Sequence, residues 1–326
     1  MPARPTETRE RRFHRWLVRH LPSARRGWLP LGDDAAALLP PRRAVALLTC
    51  DALVEGWHFL PDDPPEAVGA AAVNVSLSDL AAKGGTPAAI LWALLLDPRR
   101  PDRWAKAAAV GADRAARRAG AALVGGDTKA SGVTALVTTA VGWGDGRRLA
   151  PRGGGRAGDL LVTTGTVGRG GFHTFDPHRA DRPSARAASL TIEPRLREGR
   201  ALVRFAHAML DTSDGLAEAA ALLASSSGLR AEIEAERIPW YPPLRRRYPA
   251  SARRWAVGVY GGDYELLASL PPARFGEADA AVRAVGGRLT AIGRLIRGQG
   301  VSLIDHGRRQ PMPRSSWDPF RSRPPR

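Results

Sequence analysis

Carboxylates beside small polar residues recur along this sequence, and they are the side chains best suited to chemistry. The first group surrounds the apolar run 44–48: Asp33 and Asp34 lie in the turn before it, and Asp51 is predicted just past its end. Glycine, serine and threonine neighbours let a ligand approach the backbone closely. The same pattern recurs in Ser78-Asp79-Leu80, Gly125-Gly126-Asp127-Thr128 and Asp211-Thr212-Ser213-Asp214-Gly215.

Oxygen-rich groups of this kind are typical of a site for a hard cation. Neighbouring carboxylates repel one another unless positive charge lies between them, and the sequence has no cluster of His and Cys that would favour zinc. Mg²⁺ held by a few carboxylates usually shares its remaining positions with substrate phosphates. We therefore expect that some of these carboxylates bind Mg²⁺ together with a phosphate substrate.

Turn chemistry explains any single one of these residues, because Asp is common in turns and at helix N-caps. It explains the recurrence less well. For Asp34, a ligand and a cap of the turn that presents Asp33 both stay open. Gly168, Gly170 and Gly171 follow a predicted strand, but their spacing fits neither the Walker nor the dinucleotide fingerprint and is only a weak phosphate-loop signal.

Predicted strands and helices alternate along the chain, which indicates an α/β or α+β fold in both halves. The alanine-rich stretch 66–82 is predicted to be a helix with Asp79 near its C-terminal end, and 121–124 a strand that runs into Gly125. The Gly-, Arg- and Pro-rich stretch 144–158 indicates a boundary between domains 1–150 and 151–326. Further predictions are a helix over 7–20, a helix over 197–207, a strand over 255–259 and a mobile loop over 176–184.

Composition narrows the function classes. The net charge of +17 permits nucleic-acid binding, but only three basic residues are lysines and no nucleic-acid motif accompanies the charge. We interpret the arginines as a composition bias and expect no nucleic-acid partner. Cys50 is the single cysteine, which excludes an internal disulfide. The longest apolar run, 88–96, has nine residues and is too short to span a bilayer, and the Arg-rich N-terminus is not a secretory signal, so we expect a soluble cytoplasmic protein without a membrane partner.

Seven short motifs, taken in order, resemble the thiamine-monophosphate kinase family of the aminoimidazole ribonucleotide synthetase-like superfamily. The stretch around Glu55-Gly56-Trp57-His58-Phe59 favours that family over its relatives selenophosphate synthetase and a hydrogenase-maturation dehydratase. The seven are Gly32-Asp33-Asp34-Ala35-Ala36, Asp51-Ala52-Leu53-Val54-Glu55-Gly56 with His58-Phe59, Leu77-Ser78-Asp79-Leu80-Ala81-Ala82, Gly125-Gly126-Asp127-Thr128, Gly158-Asp159 with Val162-Thr163-Thr164-Gly165, Asp211 with Ser213-Asp214-Gly215-Leu216, and Asp263-Tyr264-Glu265-Leu266.

The resemblance implies a two-domain α+β fold, a homodimer whose N-terminal sheets pair into a barrel, and ATP bound between the domains. It implies that ATP phosphorylates thiamine monophosphate to thiamine diphosphate, assisted by several Mg²⁺ ions. The implied metal ligands are Asp33, Thr49, Asp51, Asp79, Asp127, Asp211 and Asp214. Of these, Asp51, Asp79, Asp127 and Asp214 are the strongest candidates, and we expect them to share one magnesium-binding crevice. The implied nucleotide-binding residues are Gly126, Asp127, Arg152 and Ser213, and the implied substrate-binding residues are His58 and Trp317.

Several residues depart from the family pattern or have a simpler interpretation. Cys50 stands where Thr is usual, Lys83 where Met is usual, and Gly262 replaces a Glu associated with the thiamine moiety. Lys83 is interpreted as a snorkelling surface residue or a phosphate contact. Taken alone, His58 and Trp317 are packing or surface residues, and Arg152 is a solvated linker arginine. These departures keep two alternatives open, a paralogous ATP-using enzyme with a different acceptor and a non-catalytic nucleotide-binding protein.

Overall fold

The computed structural model describes residues 36–38, 44–175, 188–251, 253 and 261–312, which form two domains of mixed sheets and helices. Several predicted features lie outside these residues, so the structure does not test them. They are the helix over 7–20, the loop over 176–184, the strand over 255–259, Asp33, Asp34 and Trp317.

The N-terminal domain is a five-stranded sheet with two long helices on one face. Its strands are β1 (Ala36–Leu38), β2 (Ala44–Val54), β3 (Thr86–Leu96), β4 (Ala122–Ala130) and β5 (Ala135–Asp145), in the spatial order β1-β2-β5-β3-β4. All pairs are antiparallel except β3 with β4. The helices are α1 (Pro65–Ala82) and α2 (Asp102–Arg118). The helix predicted over 66–82 is therefore confirmed within one residue.

Strands β2 and β4 are both longer than the sequence predicts. The prediction that Asp51 lies past the end of its strand is wrong, because β2 pairs with β5 continuously from Ala44 to Val54. Likewise, Gly125-Gly126-Asp127 does not follow β4 but lies inside it, paired with β3. Pairing with a long neighbouring strand extends both segments beyond their apolar cores, so their carboxylates project from a sheet rather than from turns.

Helices α1 and α2 approach so closely that only glycine fits at two contact points. A Cβ atom on Gly69 would lie 1.8 Å from the carbonyl oxygen of Ala108, and one on Gly111 would lie 2.0 Å from that of Glu66. The alanine-rich faces around these glycines let the backbones meet. Because α1 packs against the sheet on its other side, it is buried over most of its length and holds Asp79 in a fixed position.

The C-terminal domain is a seven-stranded sheet in the order β12-β11-β8-β10-β6-β9-β7. Its strands are β6 (Leu160–Thr164), β7 (Ala208–Asp211), β8 (Leu229–Glu234), β9 (Leu266–Leu270), β10 (Leu289–Arg297), β11 (Gly300–Asp305) and β12 (Arg308–Pro311). Its helices are α3 (Arg169–Phe175), α4 (Leu196–Leu202), α5 (Leu216–Ser226), α6 (Pro242–Arg247) and α7 (Phe275–Ala284). The helix predicted over 197–207 ends at Leu202, and α6 and β12 have no counterpart in the prediction.

One hydrophobic cluster joins the two domains. It includes Leu47 and Leu80 from the first domain and Met209 and Leu266 from the second, all fully buried. Residues 146–159 connect the last strand of the first sheet to the first strand of the second. Among the described residues, no helix combines the length and apolar character needed to cross a membrane.

Lys83 lies in this junction, and both interpretations made from the sequence are wrong. Its side chain is fully buried, and Nζ donates to the carbonyl oxygens of Met209 at 2.8 Å and Ala150 at 3.4 Å. It is neither a surface residue nor free to contact a phosphate. Because α1 ends at Ala82 and Met209 belongs to β7, the ammonium group joins the end of α1 to an edge strand of the second sheet.

Candidate active site at the domain junction

The N-terminal domain contributes an oxygen-rich group from β2 and α1. Thr49 and Asp51 are two residues apart on β2 and therefore share one face of the sheet. The Thr49 hydroxyl donates a short hydrogen bond to Oδ2 of Asp79 in the last turn of α1. A carboxylate at the C-terminal end of a helix is disfavoured by the helix dipole. This position therefore favours a cation near Asp79.

The C-terminal domain contributes Asp211, the last residue of β7. Its carboxylate is buried and accepts hydrogen bonds from the Ser78 hydroxyl at 2.6 Å and the Ser213 hydroxyl at 2.8 Å. Ser78 belongs to α1 and is fully buried. The 2.6 Å bond therefore crosses from one domain to the other and fixes Asp211 beside Asp79.

Tyr264 marks the point at which the carboxylates of both domains converge. Its backbone φ of +53° is in the left-handed region, which non-glycine residues adopt only when their surroundings impose it. Glu265 N–H and C=O both bond Thr212, at 3.0 and 2.8 Å, which places Tyr264 next to the end of β7. Burial raises the pKa of the Tyr264 hydroxyl, and so do the negative charges of Asp211, Asp51, Asp214 and Asp79.

Arg152 and Ser213 also lie at this site. With Asp211 and Asp214 they line a cavity of about 30 Å³, large enough to hold water, where the second sheet meets α5. Helix α5 begins at Leu216, immediately after Gly215, whose φ of +94° is one that side chains disfavour. The cavity therefore combines a guanidinium, a hydroxyl and two carboxylates next to a helix N-terminus.

A buried carboxylate accounts for the weak phosphate-loop signal. Asp263 accepts the N–H groups of Gly168 at 2.7 Å and Gly170 at 2.9 Å, so these donors are already occupied. Burial raises the pKa of the Asp263 carboxyl to about 6, although both N–H bonds act in the opposite direction. The glycines therefore form a support for the segment before Tyr264, and the structure gives them no role as a phosphate loop.

A second buried pair supports the same segment from the other side. Glu265 accepts two hydrogen bonds from the guanidinium of Arg195, at 2.8 and 2.7 Å, and one from Thr164 at 2.7 Å. Its side chain is almost completely buried. Asp263 and Glu265, the residues on both sides of Tyr264, are thus each fixed by hydrogen bonds to their own buried carboxylates. These bonds explain how the unfavourable backbone conformation of Tyr264 is maintained.

The structure does not bring Asp127 and Gly126 to this site within one chain. Asp127 lies on β4, three strands away from Asp51 in the sheet, which corresponds to about 14 Å. The Asp127 carboxylate is exposed and bonds Lys129 Nζ at 2.6 Å, and this bond lowers its pKa. Of the four strongest candidate ligands, Asp51, Asp79 and Asp214 lie near Tyr264, whereas Asp127 does not.

His58 lies in a turn just after β2. Its Nδ1 accepts the Val54 N–H at 3.0 Å, so the neutral ring carries its proton on Nε2. The residue is exposed overall, and desolvation of the ring lowers its pKa.

Cys50 is exposed on the face of β2 opposite Thr49 and Asp51, so it is not part of their oxygen-donor group. Asp33 and Trp317 lie outside the described residues.

Two residues of this site received no role from the sequence. Ser78 stands next to Asp79 in a buried helix, and a serine among apolar residues indicates a polar partner across an interface. Tyr264 stands between two acidic residues, Asp263 and Glu265, without a local pattern that predicts its neighbours. Both depend on contacts between the domains.

Comparison with known proteins gives similarities over nearly the whole chain. The model of the AIR synthase related protein N-terminal domain matches residues 32–143, and that of the C-terminal domain matches residues 156–306. A thiamine-monophosphate kinase from Synechococcus elongatus is 34% identical over 83% of this chain and 85% of that protein.

Two solved structures are similar in fold and sequence. AaThiL complexed with AMPPCP and TMP has a TM-score of 0.76 and 30% identity, covering 89% of this chain and 91% of that one. A thiamine-monophosphate kinase from Stenotrophomonas maltophilia K279a has a TM-score of 0.74 and 31% identity, covering 85% of this chain and 90% of that one.

Proposed function

The chain belongs to the thiamine-monophosphate kinase family, and from this premise we propose that it transfers the γ-phosphoryl group of ATP to thiamine monophosphate. The observation that carries the proposal is the convergence of Asp51, Asp79, Asp211 and Asp214 around Tyr264 at the domain junction. The acceptor is a phosphate oxygen, which is already anionic at neutral pH, so no general base is needed. The difficulty is to bring two polyanions together. A relative complexed with AMPPCP and TMP supports both substrates.

The residues present fit several Mg²⁺ ions, which we propose as cofactors. Every donor gathered around Tyr264 is oxygen, the ligand that Mg²⁺ prefers. Among the described residues, the one trio of His, Asp or Glu with ligand atoms within 4.8 Å of one another is Glu236, Asp305 and His306, at the other end of the second sheet. The carboxylates near Tyr264 are spaced more widely than this trio. Such spacing favours Mg²⁺ ions that would each be held by one or two carboxylates and by substrate phosphates. Mg²⁺ bound by these residues would supply positive charge to the phosphates during a direct in-line transfer.

The protein's own groups hold and orient the reactants in this proposal. Arg152 binds phosphate oxygens as a guanidinium fork, and Ser213 donates its hydroxyl beside the N-terminus of α5. The Tyr264 hydroxyl remains protonated, because burial and the negative charges of the four carboxylates raise its pKa. His58 and Trp317 contact thiamine monophosphate. Asp33 and Thr49 add oxygen donors on the N-terminal side.

We propose that the protein is a homodimer and that Asp127 and Gly126 complete the nucleotide site of the partner copy. Helices cover one face of the N-terminal sheet, whereas the other face exposes Leu91 and Trp143, and β4 is an exposed edge strand. Two such sheets closing into a barrel would cover this apolar face. In this arrangement the 14 Å gap between Asp127 and Asp51 of one chain is closed by Asp127 of the second copy.

Mixed dimers test this arrangement sharply. Asp51→Asn and Asp127→Asn homodimers should each be inactive. When the two variants are co-expressed with different tags and purified as a heterodimer, one of its two sites has both residues intact, so about half of the wild-type activity should return. If each site is built within one chain, both sites of the heterodimer are defective and activity stays absent.

The kinase proposal is tested by incubating the purified chain with ATP, Mg²⁺ and thiamine monophosphate and measuring thiamine diphosphate by chromatography. Asp51→Asn should abolish the product, whereas Asp113→Asn, at a half-exposed residue paired with Arg117 on α2, should leave the rate unchanged. Absence of product from the wild-type protein would reject the proposal.

A different acceptor is the second candidate, because Gly262 lacks a side chain at a position associated with the thiamine moiety. Gly262 has a φ of +89°, and its N–H donates to Ser213 at 2.7 Å, so its backbone is committed to the site. A panel of phosphorylated acceptors, followed by ADP release, separates the candidates. ATP binding without ADP release in the presence of any acceptor would instead indicate a non-catalytic nucleotide-binding protein.

We also propose a cytoplasmic location and domains 1–150 and 151–326.

A further inference from the structure

The turn that carries His58 is held by its own backbone. Trp57 N–H and His58 N–H both donate to the carbonyl of Val54, at 3.1 and 2.9 Å, and Gly56 N–H donates to that of Phe59 at 2.7 Å. Gly56 has a φ of +83°, which permits the tight reversal. These local bonds fix the shape of the turn, but they do not attach it to the rest of the domain.

Arg100 attaches the turn through its side chain, in addition to the Glu55 N–H bond to the Thr134 carbonyl at 2.9 Å and the buried ring of Phe59. It lies between β3 and α2, 45 residues from Glu55 in sequence, and its Nη2 contacts Glu55 Oε2 at 2.7 Å. The same guanidinium donates from Nε to the Thr134 hydroxyl at 2.9 Å and from Nη1 to the Pro61 carbonyl at 3.3 Å. It therefore holds both ends of the segment Glu55–Pro61, which we call the His58 turn.

The contact is largely removed from solvent. The side chains of Arg100 and Glu55 are 12% and 19% exposed, so their attraction is screened less than that of a surface pair. The guanidinium carbon lies 4.6 Å from the centre of the Trp104 ring, and this ring stacks on Phe59 of the same turn at 6.1 Å. Hydrogen bonds and ring contacts thus fix Arg100 and the turn to the same surface of α2.

The adjacent Arg99 has none of these features. Its side chain is 85% exposed, and it pairs with Asp97 at 2.6 Å within the same loop. Two consecutive arginines with the same charge therefore differ in burial and in partner. This difference provides a matched control.

We propose that Arg100 is a positioning residue that presents His58 to the phosphate acceptor and so sets the affinity for that substrate. The inference rests on the proposed function only in assuming that His58 contacts thiamine monophosphate. Arg100 touches neither the carboxylates around Tyr264 nor the Arg152 cavity, so its effect is confined to the acceptor and does not extend to ATP.

Hydrogen exchange and steady-state kinetics together test the proposal in Arg100→Gln, with Arg99→Gln as the control. In the substrate-free protein, backbone amides of the His58 turn should exchange about tenfold faster in Arg100→Gln than in the wild type. A charge-assisted hydrogen bond is lost, and its contribution to local stability corresponds to about this factor. The KM for thiamine monophosphate should rise about tenfold, while kcat and the KM for ATP change less than twofold. Arg99→Gln should match the wild type in every measurement.

Glu55→Gln weakens the same ion pair by removing the charge of the other partner. It should raise both the amide exchange rate and the KM for thiamine monophosphate, each by a smaller factor. This variant tests the proposal if Arg100→Gln does not fold. Unchanged exchange in both variants refutes the attachment. Faster exchange with an unchanged KM for thiamine monophosphate refutes the positioning role while leaving the kinase proposal intact. A wild-type protein that forms no thiamine diphosphate refutes the proposed function, and with it this role for Arg100.

Discussion

The hydrogen bond between Ser78 and Asp211 directly links the helix that carries Asp79 to the strand that carries Asp211. At 2.6 Å, with a fully buried donor and a buried carboxylate, it is a charge-assisted bond that water cannot easily replace. Ser78→Ala removes the donor without changing the packing volume appreciably. We expect this substitution to lower the free energy of unfolding by about 2 kcal/mol, because bonds to charged groups contribute about 1.5–3 kcal/mol.

Ser76 provides the matched control, since it lies two residues earlier on the same helix and is equally buried. Its hydroxyl bonds the Thr138 carbonyl at 3.1 Å and hydroxyl at 2.9 Å, both inside the N-terminal domain and both neutral. Ser76→Ala should cost about 1 kcal/mol. In thermal unfolding, a loss of about 2 kcal/mol in a domain of 150–250 residues corresponds to a decrease in Tm of about 4–8 °C.

The functional readout separates the two serines. Ser78→Ala frees Asp211 to move away from Asp79, so the Mg²⁺ concentration needed for half-maximal activity should rise about tenfold, equivalent to about 1.4 kcal/mol. Ser76→Ala should leave this concentration within twofold of the wild type. If both variants lose stability and neither changes its Mg²⁺ requirement, the bond is merely structural, and the reasoning that it aligns the carboxylates is wrong.

Four further substitutions test the packing and the buried charges. Burial raises the pKa of Asp263 to about 6, so the contribution of this carboxyl to stability is present below about pH 4 and is lost, by about 3 kcal/mol, as the pH rises through 6. The difference in unfolding free energy between the wild type and Asp263→Asn should follow this pH dependence. A pH-independent difference would contradict it. Gly111→Ala places a Cβ 2.0 Å from a backbone oxygen of α1 and should cost about 3 kcal/mol in urea unfolding. Gly276→Ala, at an open helical position, should be neutral or stabilising by up to about 1 kcal/mol. Lys83→Ala removes two hydrogen bonds at the domain junction and leaves a cavity, so we expect a loss of about 3 kcal/mol, and an unchanged Tm would argue against the link.

Local sequence patterns predicted the elements whose local preferences agree with the tertiary structure. The helix over 66–82 was predictable because its alanine-rich composition favours helix and because it begins after consecutive prolines. The grouping of Asp51, Asp79 and Asp214 was also predictable, since carboxylates beside small residues require a common positive partner. In these cases the local chemistry and the tertiary structure agree.

The remaining features depend on pairings that no local pattern contains. The apolar run ends at residue 48 in the sequence, and only pairing with β5 extends the strand through Asp51. Lys83 looks like a surface lysine after a helix, and only the arrival of β7 buries it. Asp127 has the same local pattern as Asp79, yet its strand lies at the far side of the sheet. Sequence therefore predicted which residues are chemically suited to the site better than which residues meet there.

The distribution of the carboxylates over both domains has a physical consequence for the proposed reaction. Asp51 and Asp79 belong to the N-terminal domain, and Asp211 and Asp214 belong to the C-terminal domain, so their mutual repulsion acts to separate the domains. The shared hydrophobic cluster, the Ser78–Asp211 bond and Lys83 oppose that separation. Cations and phosphates that bind between the carboxylates add to the same opposition, so substrate binding and domain alignment should stabilise each other. An oxygen-donor site on a single rigid domain would gain no such coupling. The junction location therefore makes the geometry of phosphoryl transfer depend on the presence of the reactants.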